Sequence, residues 1–120
     1  MDGKKKILVV DDEYSFCKSL RNYLEKQGYE VLLTTSGEQA LDMIKLKKPD
    51  LMTLDILMPG INGHEVLEKA QQIDENLPII IVSAADIPNM EDSLKKAGAK
   101  AVFRKPANMN DLAKAIENLA

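Results

Sequence analysis

The sequence predicts an α/β fold: a doubly wound, five-stranded parallel sheet with helices on both faces. Three observations carry this. Short apolar runs alternate five times with segments of helical spacing. The runs are continuous, as in strands buried on both faces, and do not alternate with polar residues. Helix start and stop signals fall between them. Repeated strand–helix–strand units require right-handed crossovers, and so a parallel sheet covered on both sides.

The first run, Ile7–Val10, ends in three consecutive acids: Asp11, Asp12 and Glu13. Phe16, Leu20 and Leu24 then follow at i, i+4 and i+8, marking a first helix that Gly28 ends. Val31–Leu33 is the second run. Ser36 with Gln39 makes a capping-box pattern for the second helix, and Pro49 follows that helix. Leu51–Leu54 ends in Asp55. Val66, Leu67, Ala70 and Ile73 share one face of a third helix, and Pro78 lies beyond it. Ile79–Val82 leads into Ser83, and Gly98 ends the fourth helix. Ala101–Phe103 runs through Arg104 to Lys105 and Pro106. Asn108 with Asp111 opens the last helix, whose apolar face is Leu112, Ile116 and Leu119.

At 120 residues the chain fits one domain with a buried core. Hydrophobic residues at 45% and charged residues at 29% are ordinary for a soluble globular protein. No apolar run reaches the ~20 residues that span a bilayer. The opening "MDGKKKILVV" has too short an apolar stretch, and no small-residue cleavage site, for a signal peptide. Net charge is −3 and the basic residues are scattered, which argues against a nucleic-acid face. Lys4 to Lys6 read as a solvated lead-in to the first strand. The single Cys17 excludes an internal disulfide, fits a reducing compartment, and reads as a small buried hydrophobe. A cytoplasmic location is expected.

In a parallel sheet every strand's C-terminal end lies on one edge, where ligands bind at the point of strand-order reversal. Asp11, Asp12, Glu13, Asp55, Ser83 and Lys105 all gather at that edge. Clustered carboxylates raise one another's pKa. A hard divalent cation removes the problem, and Mg²⁺ favours one or two carboxylates with water and phosphate oxygens. Asp55 could then act as a nucleophile toward a phosphoryl group. Mg²⁺ and the Lys105 ammonium would neutralise the developing charge, and Ser83 would donate a hydrogen bond.

"VVDDE", "LDILMPGINGHEVL", "IIIVSA" and "FRKP" resemble, in order and spacing, the four signature segments of response-regulator receiver domains. The resemblance covers essentially the whole chain. It implies a flavodoxin-like (βα)5 sheet of strand order 2-1-3-4-5 and a single receiver domain over residues 1–120. It implies Asp55 as the phosphoacceptor, with Asp11 and Asp12 holding Mg²⁺ directly or through water. The backbone carbonyl of Leu57 would be a further metal ligand. Ser83 would be the switch hydroxyl and Lys105 the phosphate-binding amine, with a cis Lys105–Pro106 peptide. Pro59 and Gly63 would shape the loop after Asp55. A histidine kinase or phosphotransfer protein would be the phosphodonor, and a downstream protein or output domain would read the result. Catalysis would extend only to the domain's own phosphorylation and dephosphorylation.

Glu13 reads either as an acid touching a metal-bound water or, the preferred reading, as one favouring the N-terminus of the first helix. His64, at a helix start, is expected to be exposed and is given no role. Two positions depart from the family pattern. Val102 stands where an aromatic switch residue is usual, and Ala107 where a large apolar residue follows the Lys-Pro pair. No charge pattern supports a dimer face, so a monomer is expected. Two rivals fit poorly. A phosphohydrolase with an Asp nucleophile wants a second Asp two residues on, where Leu57 stands. A flavodoxin-like cofactor binder wants donors after the first strand, where three acids would repel a phosphate.

Overall fold

A computed structural model describes residues 3–58 and 60–120. The elements are β1 (Lys6–Val10), α1 (Tyr14–Lys26), β2 (Glu30–Thr34), α2 (Gly37–Lys47), β3 (Leu51–Leu54), α3 (Gly63–Ile73), β4 (Ile79–Ser83), α4 (Met90–Lys96), β5 (Ala101–Arg104) and α5 (Met109–Leu119). Every apolar run became a strand, extended by at most one residue at either end. The sheet order is β2-β1-β3-β4-β5 and all four pairings are parallel.

Strand periodicity divides the interior in two. Ile7, Val9, Leu51, Ile80 and Val82 face α1 and α5, packing on Cys17, Leu20, Leu24, Leu112 and Ile116. Their neighbours Leu8, Val10, Met52, Leu54, Ile79 and Ile81 face α2, α3 and α4. The central strands β1, β3 and β4 are thus covered on both faces. The edge strands β2 and β5 are only partly buried, which is why their apolar runs are shorter. Val102 joins the α2–α4 side and Phe103 the α1–α5 side, so Phe103 does not occupy Val102's place.

Helix ends follow local chemistry, with one departure from expectation. Ser36 Oγ accepts from Gln39 N at 3.2 Å, but the Gln39 side chain does not return to Ser36 N. Gln39 Oε1 takes the Thr34 hydroxyl instead at 2.6 Å, and Thr34 Oγ1 accepts from Ser36 N at 3.1 Å. Thr34, buried at the end of β2, out-competes Ser36 N for the amide because its hydroxyl is already fixed there. Asn108 Oδ1 caps α5 through Asp111 N. Asn62, unmarked by the patterns above, caps α3 through His64 N and Glu65 N. Gly28 and Gly98 follow α1 and α4 with φ of 98° and 118°, a left-handed region that favours glycine.

Candidate functional site

β1 and β3 are neighbours in register, with Val10 opposite Leu54. Asp11 and Asp55 therefore emerge side by side at the C-terminal edge, where the order reverses between β1 and β3. Asp11 N donates to Thr34 O and Asp55 N to Val10 O, which carries the sheet ladder one residue past the strands and fixes both backbones. Both carboxylates are buried, whereas Asp12 is exposed. Asp11, Asp12 and Asp55 each offer an oxygen within 4.8 Å of the others.

Each loop folds back on its own acid. Asp11 Oδ1 accepts from Glu13 N at 2.9 Å, and Asp55 Oδ1 accepts from Leu57 N at 3.0 Å. The Oδ2 atoms are left to Lys105, whose Nζ lies 2.7 Å from Asp11 Oδ2 and 3.6 Å from Asp55 Oδ2. It also lies 3.0 Å from Glu13 Oε1 and 4.4 Å from the centroid of the Phe16 ring. Lys105 N donates to Ser83 O at 2.9 Å, tying the end of β5 to the end of β4. The Lys105–Pro106 peptide is cis. Ser83 is fully buried, and its Oγ accepts from Ala85 N at 3.2 Å, so its own proton remains to donate.

The electrostatics follow from burial among like charges. Burial pushes the Asp11 carboxyl up to about 6; the Lys105 hydrogen bond and the Glu13 N–H pull it down, and the Asp55 charge adds to the rise. Burial works against the Lys105 ammonium, but its hydrogen bonds to Asp11 and Glu13 outweigh this and raise it above its ordinary value. Beneath them, burial and then the Asp11 charge push the Cys17 thiol up to about 11. Cys17 therefore stays an S–H, and it donates to Asp11 O at 3.3 Å.

An all-carboxylate oxygen set of this spacing suits a hard divalent cation and not a soft one. Burial of two of the acids makes that cation electrostatically welcome. Gly63 opens α3 against this loop: a Cβ there would stand 2.5 Å from Ile56 Cα and 3.0 Å from Asp55 O. Leu57 turns its side chain outward while its N–H holds Asp55. Pro106 follows Lys105 at the surface. Pro59 lies outside the described residues. His64 is half-buried, not exposed, and lines an open hollow with Leu57, Met58 and Ile87.

Two contacts of the site are not anticipated by the sequence. Glu13 stands at the N-cap of α1, yet its side chain makes no capping bond and turns to Lys105. Phe16, placed by its spacing on the inner face of α1, puts its ring against the same ammonium. The acid run pointed toward Glu13, but no spacing signal could join it to a lysine 92 residues away.

Residues 7–117 match the family described as response regulator receiver domain. Over 113 residues the chain is 36% identical to sporulation initiation phosphotransferase F of Bacillus subtilis (strain 168), covering 94% of this chain and 91% of that protein. Over 107 residues it is 37% identical to the response regulator MprA of Mycobacterium avium (strain 104), covering 89% of this chain but only 47% of that protein, about half its length. A solved response regulator receiver domain protein (CheY-like) from Methanospirillum hungatei JF-1 superposes with a TM-score of 0.90 at 33% identity, covering 97% of this chain and 93% of that one. Among the described residues no helix is long and apolar enough to cross a membrane.

Proposed function

The chain belongs to the response regulator receiver domain family of two-component signalling, and on that premise we propose that it is a single receiver unit that accepts a phosphoryl group on Asp55. The observation that supports this best is the meeting of Asp11, Asp12 and Asp55 with the Lys105 ammonium at one edge of the sheet.

An Asp55 oxygen attacks the phosphorus of a phosphohistidine on a histidine kinase or phosphotransfer protein. The new O–P bond gives an acyl phosphate, and the P–N bond breaks to return the electron pair to the donor imidazole. The Leu57 N–H holds the other Asp55 oxygen, so the nucleophile is already oriented. Lys105 leaves its carboxylate partners for a phosphoryl oxygen, and the Ser83 hydroxyl donates to another. Asp11, Asp12, Asp55 and the Leu57 carbonyl would hold Mg²⁺, which supplies neutralisation of the phosphoryl charge. Water later cleaves the acyl phosphate, so the chemistry ends on the domain itself. A relative at 36% identity that is named a phosphotransferase supports phosphoryl transfer onto this domain, whose state a downstream protein or output domain then reads.

The test uses a small acyl-phosphate donor with Mg²⁺ and intact-protein mass spectrometry. One hydroxylamine-labile phosphoryl group is expected on the wild type and none on Asp55→Asn. An unchanged adduct on the variant would refute the assignment.

A further inference from the structure

Lys105 has two distinct sets of partners. Asp11 and Asp55, at 2.7 and 3.6 Å, belong to the acidic group that can hold a cation. The Glu13 carboxylate at 3.0 Å and the Phe16 ring at 4.4 Å do not. Glu13 is half-exposed and is not occupied in capping α1. Phe16, three residues further along the chain, turns the negative face of its ring toward the ammonium.

We propose, resting on the reading of Asp11, Asp12 and Asp55 as a Mg²⁺ site, that Glu13 and Phe16 form a second seat for the Lys105 ammonium, which keeps Lys105 at the site when the metal takes over Asp11. A divalent cation and an ammonium sharing Asp11 would repel each other strongly, because a partly buried setting screens like charges poorly. Metal uptake therefore drives Lys105 off Asp11. A lysine with no other anchor gains rotamer freedom by moving into water. Glu13 already lies at hydrogen-bond distance, so Lys105 keeps one anion and one ring face without crossing the site. The seat is also weak enough to yield. An exposed single carboxylate loses to a phosphoryl group bearing more charge and more acceptor oxygens. Glu13 and Phe16 are positioning residues: they touch Lys105 and not the reacting atoms.

The experiment follows the Lys105 ε-methylene protons by NMR in the full chain, because protons close to an aromatic face are shifted upfield by the ring current. Phe16→Leu supplies the unshielded baseline. Without metal, wild type and Glu13→Gln should both show the upfield shift, since Asp11 holds Lys105 in each. With saturating Mg²⁺, the wild type should keep it and Glu13→Gln should lose most of it, moving to the baseline. A purely structural role for Glu13 would change both states alike. Backbone amides of residues 11–13 and 55–57 report metal uptake separately. If they do not respond to Mg²⁺, the metal reading fails and the seat fails with it. If they respond while Glu13→Gln still retains the shift, or while the wild type loses it, the seat alone is refuted.

Discussion

The Arg104 guanidinium reaches Asp86 Oδ1 at 3.0 Å, joining the end of β5 to the loop that follows β4. Both side chains are well exposed, so the pair contributes less than about 1 kcal/mol and can break readily. It lies beside Val102, along a hollow that also takes in Ile87, Pro88 and Met90. Val102 has no ring to swing, and β-branching leaves it few rotamers.

The first prediction is that phosphorylation is read out through the loop at residues 84–88 and the start of α4. A beryllofluoride complex, in which the fluoride group stands in for the phosphoryl on Asp55, should shift amides of residues 83–92 strongly and those of 101–103 slightly. Ser83→Ala should remove the distant shifts, and Val102→Ala should change them little. Arg104→Ala should alter stability by no more than about 0.5 kcal/mol, as for other exposed pairs. Full switching in the Ser83 variant would refute this route.

A second prediction concerns pH. Asp11 has a folded-state pKa of about 6 against an ordinary 3.8, so between these values the folded protein binds more protons than the unfolded chain. Asp11 therefore makes the metal-free protein less stable as pH rises through that window, and the cost is fully present at pH 7. Asp11→Asn should raise the metal-free Tm at pH 7. Mg²⁺ should raise the wild-type Tm there by mass action, with the gain fading as pH falls below about 6. Scanning calorimetry with and without Mg²⁺ checks both signs.

Cys17 should be unreactive in the folded protein. Its thiol is fully buried, pushed up to about 11, and committed to the Asp11 carbonyl. Iodoacetamide at pH 8 should label it only after unfolding. Cys17→Ala should cost about 1–2 kcal/mol in urea titration, from a small cavity and the lost donor. Rapid labelling of the native protein would contradict the placement.

Gly63→Ala should destabilise by about 1–3 kcal/mol, the range for forcing an extra methyl into a packed place. The clash is with Ile56 backbone, which a rotamer change cannot relieve. Because Ile56 lies between Asp55 and Leu57, the Leu57 amide resonance should shift as its bond to Asp55 loosens. An unmoved Leu57 amide would show that the loop absorbs the methyl elsewhere.

The strands were legible because β1, β3 and β4 are buried on both faces, a condition that only a continuous apolar run satisfies. Helices α1, α3 and α5 announced themselves by period. Strand order came from resemblance alone, since composition and spacing carry no record of which strands adjoin. Asp11, Asp12, Asp55 and Lys105 could be placed at one edge because parallel topology sends every strand end there. What stayed hidden were pairings between side chains far apart in the chain: Glu13 with Lys105, Phe16 with the same ammonium, and Asp86 with Arg104. The exchange of partners among Thr34, Ser36 and Gln39 escaped for a different reason. Three hydrogen-bonding groups competed locally, and burial of Thr34 chose between them.

The separation of 92 residues between Glu13 and Lys105 bears on how the chain assembles. During synthesis β1 and β3 emerge well before β5, so Asp11 and Asp55 are made ahead of the Lys105 that pairs with both. Closing so long a loop adds little entropy beyond a shorter one, since each doubling costs only about 0.6 kcal/mol. The late arrival of Lys105 is therefore a matter of order in time more than of free energy.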